Sequence, residues 1–507
     1  MTQKKTDNSV IIIGAGFAGL ATGIYARMNG YDTKIFEMHT KPGGLCTSWK
    51  RKDYTFDGCI HWLVGSSPLY KMHEFWEEVG IVQDRIIINM DEYLRFEGKD
   101  GRTITFHTDV DKLEKHLLSV SPQDEKPILE FTGGIRMCIA FKQPSSRVPL
   151  IKRAGMNMNT YLSFILKGSK LQQWMKTTAK DFSGRFKDPL LSEAFREMWF
   201  PDFSMLFMLF TFAYLHNKNA GYPIGGSLPM SMALEKRYKS LGGDISYGKK
   251  VEKILTEKDR AVGVRLEDGT EYRAARVVSA ADGHSTIFRM LDGSYANEKV
   301  REPYETWPVF PSLIYVGLGV NRSFKEYSMS VSGMSIPLSE PQVIGDEMRT
   351  RLWVHPYNHD PSMAPDGKTS IVVMMNSDYE YWRKLSADRN KYDKAKDEVA
   401  KLVIAELDKR FPGLASQVEA IDVATPLTFE RYTGNWNGSF EGWLITPSNS
   451  YVMMKPMSQT LPGLQNFYMC GQWVEPGGGL PTGVMSGRRL LKRICKEDHR
   501  KFMTTIS

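Results

Sequence analysis

The sequence predicts an α/β fold: a βαβ unit at the start of a chain long enough for two domains, or for one domain with a large insertion. Three observations predict it. An apolar run at residues 10–13 is followed by Gly14-Ala15-Gly16-Phe17-Ala18-Gly19, a helical pattern and a second strand ending in Glu37, which together make a complete βαβ unit. Near the other end, a strand at 467–470 runs into a glycine-rich loop and a further helix. Between these stretches the pattern changes more than once, and 507 residues are too many for one compact core.

The elements follow in order. Val10, Ile11, Ile12 and Ile13 form the unbroken aliphatic run that a strand buried on both faces requires. Leu20, Ala21, Ile24, Tyr25 and Met28 recur at helical spacing until Gly30 ends the helix. Residues 33–36 are the next strand and 41–49 a glycine-containing loop, with Phe56, Asp57, His61 and Trp62 just beyond. Residues 68–221 read as mainly helical, rich in Met and aromatics, with few strand signals. A helix at 228–238 stops at Gly242-Gly243. Short strands follow at 245–247, 251–256 and 261–266, with an Asp268-Gly269 hairpin turn and an apolar strand at 276–280. Residues 292–425 read as α+β, with strands near 313–320, 351–355 and 371–376 and a helix over 393–410.

Composition narrows the class. Hydrophobic residues at 42% and charged residues at 24% are those of an ordinary globular protein. A net charge of +8 without a basic run interleaved with aromatics argues against nucleic acid as a partner. Cys46, Cys59, Cys138, Cys470 and Cys495 are odd in number and contain no CxxC, so no disulfide framework, metal site or dithiol pair is expected and a cytoplasmic location fits. Residues 1–9 lack the apolar core of a secretory signal, and the longest uncharged apolar run, 203–214, falls short of the ~18 residues that span a bilayer. Arg488, Arg489, Lys492, Arg493 and Lys496 read either as a solvated face near a helix C-terminus or as a contact for an anionic membrane.

The hexapeptide carries chemistry because of its setting. Gly14 permits the tight turn, Gly16 lets backbone N–H groups approach a pyrophosphate, and Gly19 lets helix and strand pack closely. The helix start offers unpaired donors to the phosphates, and Glu37, about 20 residues on, can accept both ribose hydroxyls. A glycine-rich turn without a ligand is the bland alternative, and the placed acid argues against it. Three further features favour FAD over NAD: Pro42-Gly43-Gly44 soon after the acid, the strand meander within 243–281, and the loop 471–487, GQWVEPGGGLPTGVMSG. A helix starting in that loop faces its positive end to the flavin pyrimidine ring and stabilises the reduced form. There is one GxGxxG, so NAD(P)H, if it donates electrons, binds transiently in the flavin cleft. Oxygen, a quinone or a small electron carrier is the other choice of partner.

With the PGG loop, the FDxxxHW stretch, the segment 225–243 and the C-terminal loop, the chain resembles the phytoene desaturase and retinol saturase family of amine-oxidase-like flavoproteins. The resemblance implies a Rossmann-like, glutathione-reductase-type FAD domain made from residues 1–90, 222–292 and 426–507, and a substrate domain made from 91–221 and 293–425. It implies non-covalent FAD touching Gly14, Ala15, Gly16, Phe17, Ala18, Gly19, Glu37, Met38, Gly43, Gly44, Leu45, Val251, Ala280, Ala281, Gly471, Gly478, Gly479, Thr482 and Val484. It also implies desaturation, saturation or isomerisation of carbon–carbon bonds in an apolar isoprenoid, carotenoid, retinoid or other lipid, by hydride transfer at flavin N5.

Such chemistry moves a proton as well. His61 is the candidate acid or base, with a structural histidine under the flavin as the alternative. Glu475 and Tyr432 are weaker candidates. The stretch 198–214 is either a buried helix or the wall of a lipid tunnel, and Lys152, Arg153, Lys167 and Lys170 suit headgroup level or an ordinary surface. Two rival functions stay open. A flavin amine oxidase would need an aromatic cage, for which Trp436, Trp443 and Trp473 are available. A non-catalytic prenyl-binding chaperone of the GDP-dissociation-inhibitor type is opposed by the intact Glu37 and the C-terminal loop.

Overall fold

The structure is a computed structural model that describes residues 8–505 except 454, and the side chains of 159 and 162–165 excepted. The expectation placed on the polar start of the chain lies largely outside the described residues.

Five parallel strands form the first sheet, in the order Asp244–Ser246, Asp32–Phe36, Ser9–Ile13, Arg276–Ser279, Phe467–Met469. The chain thus returns to one sheet from three regions of sequence. Because the strands run parallel, the loops after them emerge at one edge, where α/β sheets bind ligands. Those loops begin by continuing the ladder: Gly14 N donates to Phe36 O at 2.8 Å, Ala280 N to Ile13 O at 2.9 Å and Cys470 N to Ser279 O at 2.9 Å.

Helix Phe17–Met28 covers one face with Ser227–Ser240 and Gly479–Glu497. The contacts of the first and last are in step. A Cβ added at Gly483 would lie 3.4 Å from Phe17 Cβ, and one at Gly487 would lie 2.7 Å from Thr22 Oγ1. These two helices therefore run parallel, with their N-termini side by side. On the opposite face the meander Val251–Glu257, Arg260–Leu266 and Glu271–Arg273 packs over Ile11, Ile13, Phe36, Val277 and Phe467.

A second sheet of seven strands runs Val418–Ala424, Ser312–Val320, Thr369–Ser377, Glu347–Pro356, Met334–Ile344, Glu92–Glu97, Thr103–His107. Helix Arg389–Arg410 covers it with Val399, Val403 and Leu407. The mainly helical reading of 68–221 needs correction here. Leu94, Phe96, Ile104 and Phe106 alternate with polar residues about a turn at Gly98–Gly101, and that period of two makes a hairpin on the sheet edge. Strand Met334–Ile344 also escaped the sequence reading. It contains Pro337 and Pro341, and its pairing shifts register between Pro337 and Gln342, where proline offers no N–H. The rest of the insertion is helical, around edge-on Phe131, Phe195 and Phe212.

Strand Tyr54–Asp57, paired with Ser48–Arg51, packs against the second sheet. Gly317 and Gly319 leave room for the rings of Phe56 and Tyr54, which a Cβ would meet at 2.8 Å and 2.4 Å. No helix among the described residues is long and apolar enough to cross a membrane.

Candidate active site

The cradle forms where the parallel strands end. Gly16 bridges Gly43, and Gly43 N donates to Ala15 O at 2.9 Å, so the PGG loop is pinned beside the start of helix Phe17–Met28. Glycine serves two purposes here. At Gly19 a Cβ would sit 2.0 Å from the Gly14 carbonyl oxygen, and at Gly43 it would sit 2.3 Å from Cys46 O, so those glycines serve the protein's own packing. At Gly16 the nearest protein atom would be Gly43 O at 3.9 Å, at Gly44 only Gly16 Cα at 3.5 Å, and at Gly471 only Ala18 Cβ at 3.3 Å. Those three border space that the protein does not fill. The residue before each parallel helix is a glycine without a capping side chain, and neither helix has an acid in its first turn, so the positive end of Phe17–Met28 faces that space. Glu37 is buried beside it, accepting from Ala15 N at 2.6 Å and His39 N at 2.8 Å, and burial pushes its carboxyl above the usual range. Open glycines, a helix end and a buried carboxylate fit an adenine dinucleotide such as FAD.

The other residues expected at the cofactor divide. Ala280 and Ala281 lie at the turn against Gly14 and Gly19, as the Cβ contacts at those glycines show. Met38 sits with its sulfur near Gly434, and Leu45 lines a cavity of about 220 Å³ between the PGG loop and helix Pro426–Thr433. Phe17 and Ala18 open the first helix against Gly483 and Gly471. Two side chains are not at the site. Val251 packs under the meander with Ile11 and Phe36, and Val484 is fully buried in the main core, because each belongs to the apolar face of its own element. The Thr482 hydroxyl is engaged locally, donating to Gly479 O at 2.8 Å.

At the far end, Gly477, Gly478 and Gly479 adopt φ of 113°, 70° and 79°, which L side chains avoid. Glu441, unremarked in the sequence, faces them. Its carboxylate accepts from Gly479 N at 3.1 Å, and a Cβ on Gly478 would lie 1.7 Å from it. Burial pushes this carboxyl up to about 7. Asp57 holds the neighbouring loop. It accepts from Ser227 Oγ and Ser227 N at 2.6 Å each, from Cys59 N at 3.0 Å and from Ile60 N at 3.1 Å. The next residue is His61, whose imidazole burial pushes down to about 4, leaving it neutral at pH 7.

Beside this end stands an aromatic wall. Trp199 stacks on Phe203 at 5.2 Å, and Phe203 on Phe207 at 4.8 Å. Phe207 lies 3.7 Å from where a Gly477 Cβ would be, and Phe310 and Phe440 extend the cluster. The stretch 198–214 thus serves both readings. Met205, Leu206, Met208, Leu209 and Phe212 are core, while half-buried Trp199, Phe200 and Phe207 face the glycine loop's side.

The other candidates fall away from this end. Trp443 and Trp473 pack edge-on against each other at 5.0 Å and are buried, so they form no open cage. Glu475 pairs with Arg489 at 2.7 Å, and Tyr432 packs edge-on to His39 at 5.0 Å. Of the C-terminal cations, Arg488 pairs with Glu78, Arg489 with Glu475 and Arg493 with Glu497, which favours the structural reading of that stretch.

Comparison with known proteins agrees with this geometry. The chain is similar to a chloroplastic prolycopene isomerase of Daucus carota, 23% identical over 97% of this chain and 81% of the relative. It is likewise similar to a lycopene-forming phytoene desaturase of Pseudescherichia vulneris, 23% identical over 98% of this chain and all of the relative. Among solved structures, an oxidoreductase from Methanosarcina mazei superposes with a TM-score of 0.59 at 17% identity, covering 96% of this chain and 100% of that one. Cyclohexylamine oxidase from Brevibacterium oxydans superposes with a TM-score of 0.57 at 13% identity, covering 97% and 100%. These likenesses show an α/β FAD-binding fold with an inserted domain. The family model for flavin-containing amine oxidoreductases matches residues 17–494, nearly the whole chain, and the protein belongs to that family.

Proposed function

We propose that this FAD-dependent oxidoreductase acts on carbon–carbon bonds of an apolar isoprenoid, with carotenoids the leading class. The aromatic wall against Gly477 carries the reading. The half-buried rings of Trp199, Phe200 and Phe207, packed with Phe310, offer dispersion contacts and little polar recognition, which suits a polyene. The relatives named for phytoene and prolycopene support it. Gly14, Gly16, Gly44 and Gly471 would admit the pyrophosphate and ribityl chain, and Glu37 the ribose. Residues 1–90, 222–292 and 426–507 would then be the cofactor-holding part, and 91–221 with 293–425 the substrate-holding part.

Bound FAD supplies a two-electron acceptor or donor for hydride. The chain does the rest. The aromatic wall excludes water and orients the polyene. His61, neutral and held by the Asp57 loop, takes or gives the proton that accompanies hydride movement. Glu441, at the start of the last helix, adds a carboxyl that gains or loses its proton near neutrality. The electron partner, NAD(P)H included, would have to use the same cleft.

Peripheral membrane contact accompanies a substrate of this kind. Helix Leu150–Lys176 exposes Leu150, Ile151, Met158, Tyr161 and Leu166, and its sequence carries Lys152, Arg153, Lys167, Lys170 and Lys176 with no acid. That pattern suits the anionic surface of a cytoplasmic leaflet better than the paired C-terminal cations do.

The test is anaerobic. Purified protein is mixed with phytoene, prolycopene, retinol or putrescine while flavin absorbance near ~450 nm is followed and polyene products are resolved by chromatography. Bleaching or polyene conversion is expected with an isoprenoid. Bleaching by the amine alone would overturn the reading.

A further inference from the structure

Behind His61 lies a polar cluster that the cofactor does not explain. The ring of His355, on strand Glu347–Pro356, is 4.8 Å from that of His61, and His359 is 5.7 Å from His355. Tyr357 stacks on His355 at 4.5 Å, and Tyr222 meets His359 edge-on at 4.6 Å. His355, Tyr357 and His359 are 4%, 2% and 8% exposed. Neither ring nitrogen of His355, neither of His359, nor the Tyr357 hydroxyl has a hydrogen-bond partner in the protein. Each unsatisfied buried polar group forfeits its hydration without a bond in return. Five in one place make an expensive core that apolar side chains would fill more stably, unless water joins them and the cluster has a use. One end of it is half-buried His61, beside Trp62. At the other end, the Asp360 carboxylate accepts from Tyr222 Oη at 2.8 Å and from Ser362 Oγ at 2.7 Å, and Ser362 is exposed.

We propose that His61, His355, His359 and Asp360 form a proton path, joined by water, between the active-site cleft and the surface at Ser362. A neutral imidazole suits such a path because it accepts at one nitrogen and donates from the other. Burial holds all three histidines below their ordinary range, so they pass protons without storing charge. The inference rests on the proposed carbon–carbon chemistry and sharpens it. In a desaturation two C–H bonds break and a C=C bond forms. The substrate is oxidised by two electrons, which leave with one hydrogen as hydride to the flavin. The other hydrogen leaves as a proton to His61 and passes through His355 and His359 to Asp360 and water. Saturation runs every transfer in reverse. A pure isomerisation returns its proton to the substrate and needs no such path, so the cluster favours net oxidation or reduction.

The test uses the holoenzyme with ¹⁵N-labelled histidine, as wild type, His359→Phe and His359→Gln, each checked for full flavin occupancy. Exchange of the His61 and His355 ring protons with water is measured by NMR without substrate. Exchange is expected to be fast in the wild type and at least about tenfold slower in His359→Phe, with partial recovery in His359→Gln, which can still hold water. In stopped flow with phytoene and an indicator dye, proton release should keep pace with flavin bleaching in the wild type and lag behind it in His359→Phe. Slow exchange in the wild type, or equal exchange in all three proteins, would overturn the path. Fast exchange blocked by His359→Phe, with no isoprenoid bleaching the flavin, would uphold the path and remove the substrate reading instead.

Discussion

Replacing Glu441 by glutamine removes a charge and keeps the shape. The carboxyl faces Gly479 N at the start of the last helix, and burial raises it from 4.5 to about 7. A decade of proton affinity is worth about 1.4 kcal/mol, so ionised Glu441 is disfavoured in the fold by up to about 3 kcal/mol relative to the unfolded chain. Part of the side chain meets solvent, which makes that figure a ceiling. Its sign follows from the raised value. Below pH 4.5 both states hold the proton and there is no deficit; the deficit grows between pH 4.5 and 7 and is complete above 7. Glutamine carries no such deficit. With about 2.1 cal/mol/K per residue, 507 residues have an unfolding entropy of about 1 kcal/mol/K, so 3 kcal/mol corresponds to ~3 °C. Melting of flavin-free wild type and Glu441→Gln from pH 4 to 9 should therefore show the variant gaining up to ~3 °C on the wild type as pH rises through this window. A difference that stays constant across the range would show that Glu441 does not titrate there and would remove it from the proton chemistry.

The two kinds of glycine predict opposite outcomes. Gly16→Ala should melt within ~0.5 kcal/mol of wild type yet lose at least about tenfold in FAD affinity, whereas Gly19→Ala, driven against the Gly14 carbonyl, should cost more than ~2 kcal/mol, read by thermal melting and flavin titration. Arg351 is buried 3.7 Å from the Phe96 ring centroid and donates to Ser335 Oγ, so Arg351→Ala should lower stability by about 3 kcal/mol, measured by urea unfolding. Ile151→Glu with Leu166→Glu should abolish co-sedimentation with anionic vesicles and leave flavin binding intact. Asp57→Asn places an NH₂ among donors whichever way its amide turns, so a loss of about 3 kcal/mol and a misplaced His61 are expected; melting and flavin occupancy equal to wild type would refute this.

The nucleotide end of the site was legible because its requirements are local. A strand, a turn, a helix start and an acid at the end of the next strand sit within 30 residues, and each has a fixed geometric job. The chemistry end was not legible, because it is built by tertiary approach. Glu441 meets Gly479 from a stretch with no periodic pattern, and half of the donors to Asp57 come from Ser227, 170 residues away. The histidine cluster did leave a signal. His355, Tyr357 and His359 recur every second residue, His355 at the end of strand Glu347–Pro356 and the other two in the turn that follows it. The hairpin at 92–107 was hidden by charges at Glu92, Arg95 and Glu97, which pair or point outward and mask the alternation beneath.

The placement of the two buried carboxyls argues for a division of labour along the cofactor. Each of the two parallel helices has a glutamate beside its start: Glu37 accepts from Ala15 N, and Glu441 from Gly479 N. A diphosphate carries its own negative charge and needs those helix ends free of acids in the first turn, which is how both helices are built. The glutamates stand at the starts of two different helices. The ribose end of such a cofactor calls for an acceptor, which Glu37, tied down by two backbone donors, would supply. Bound FAD would bring a ring whose charge changes with each electron pair. A carboxyl with one backbone donor and a value near 7 can follow that change, shedding its proton when negative charge leaves the ring and taking one up when it returns. A fixed aspartate with several donors at the same point would oppose reduction at every pH, so the sparse bonding of Glu441 is what allows an acid to stand beside an electron carrier.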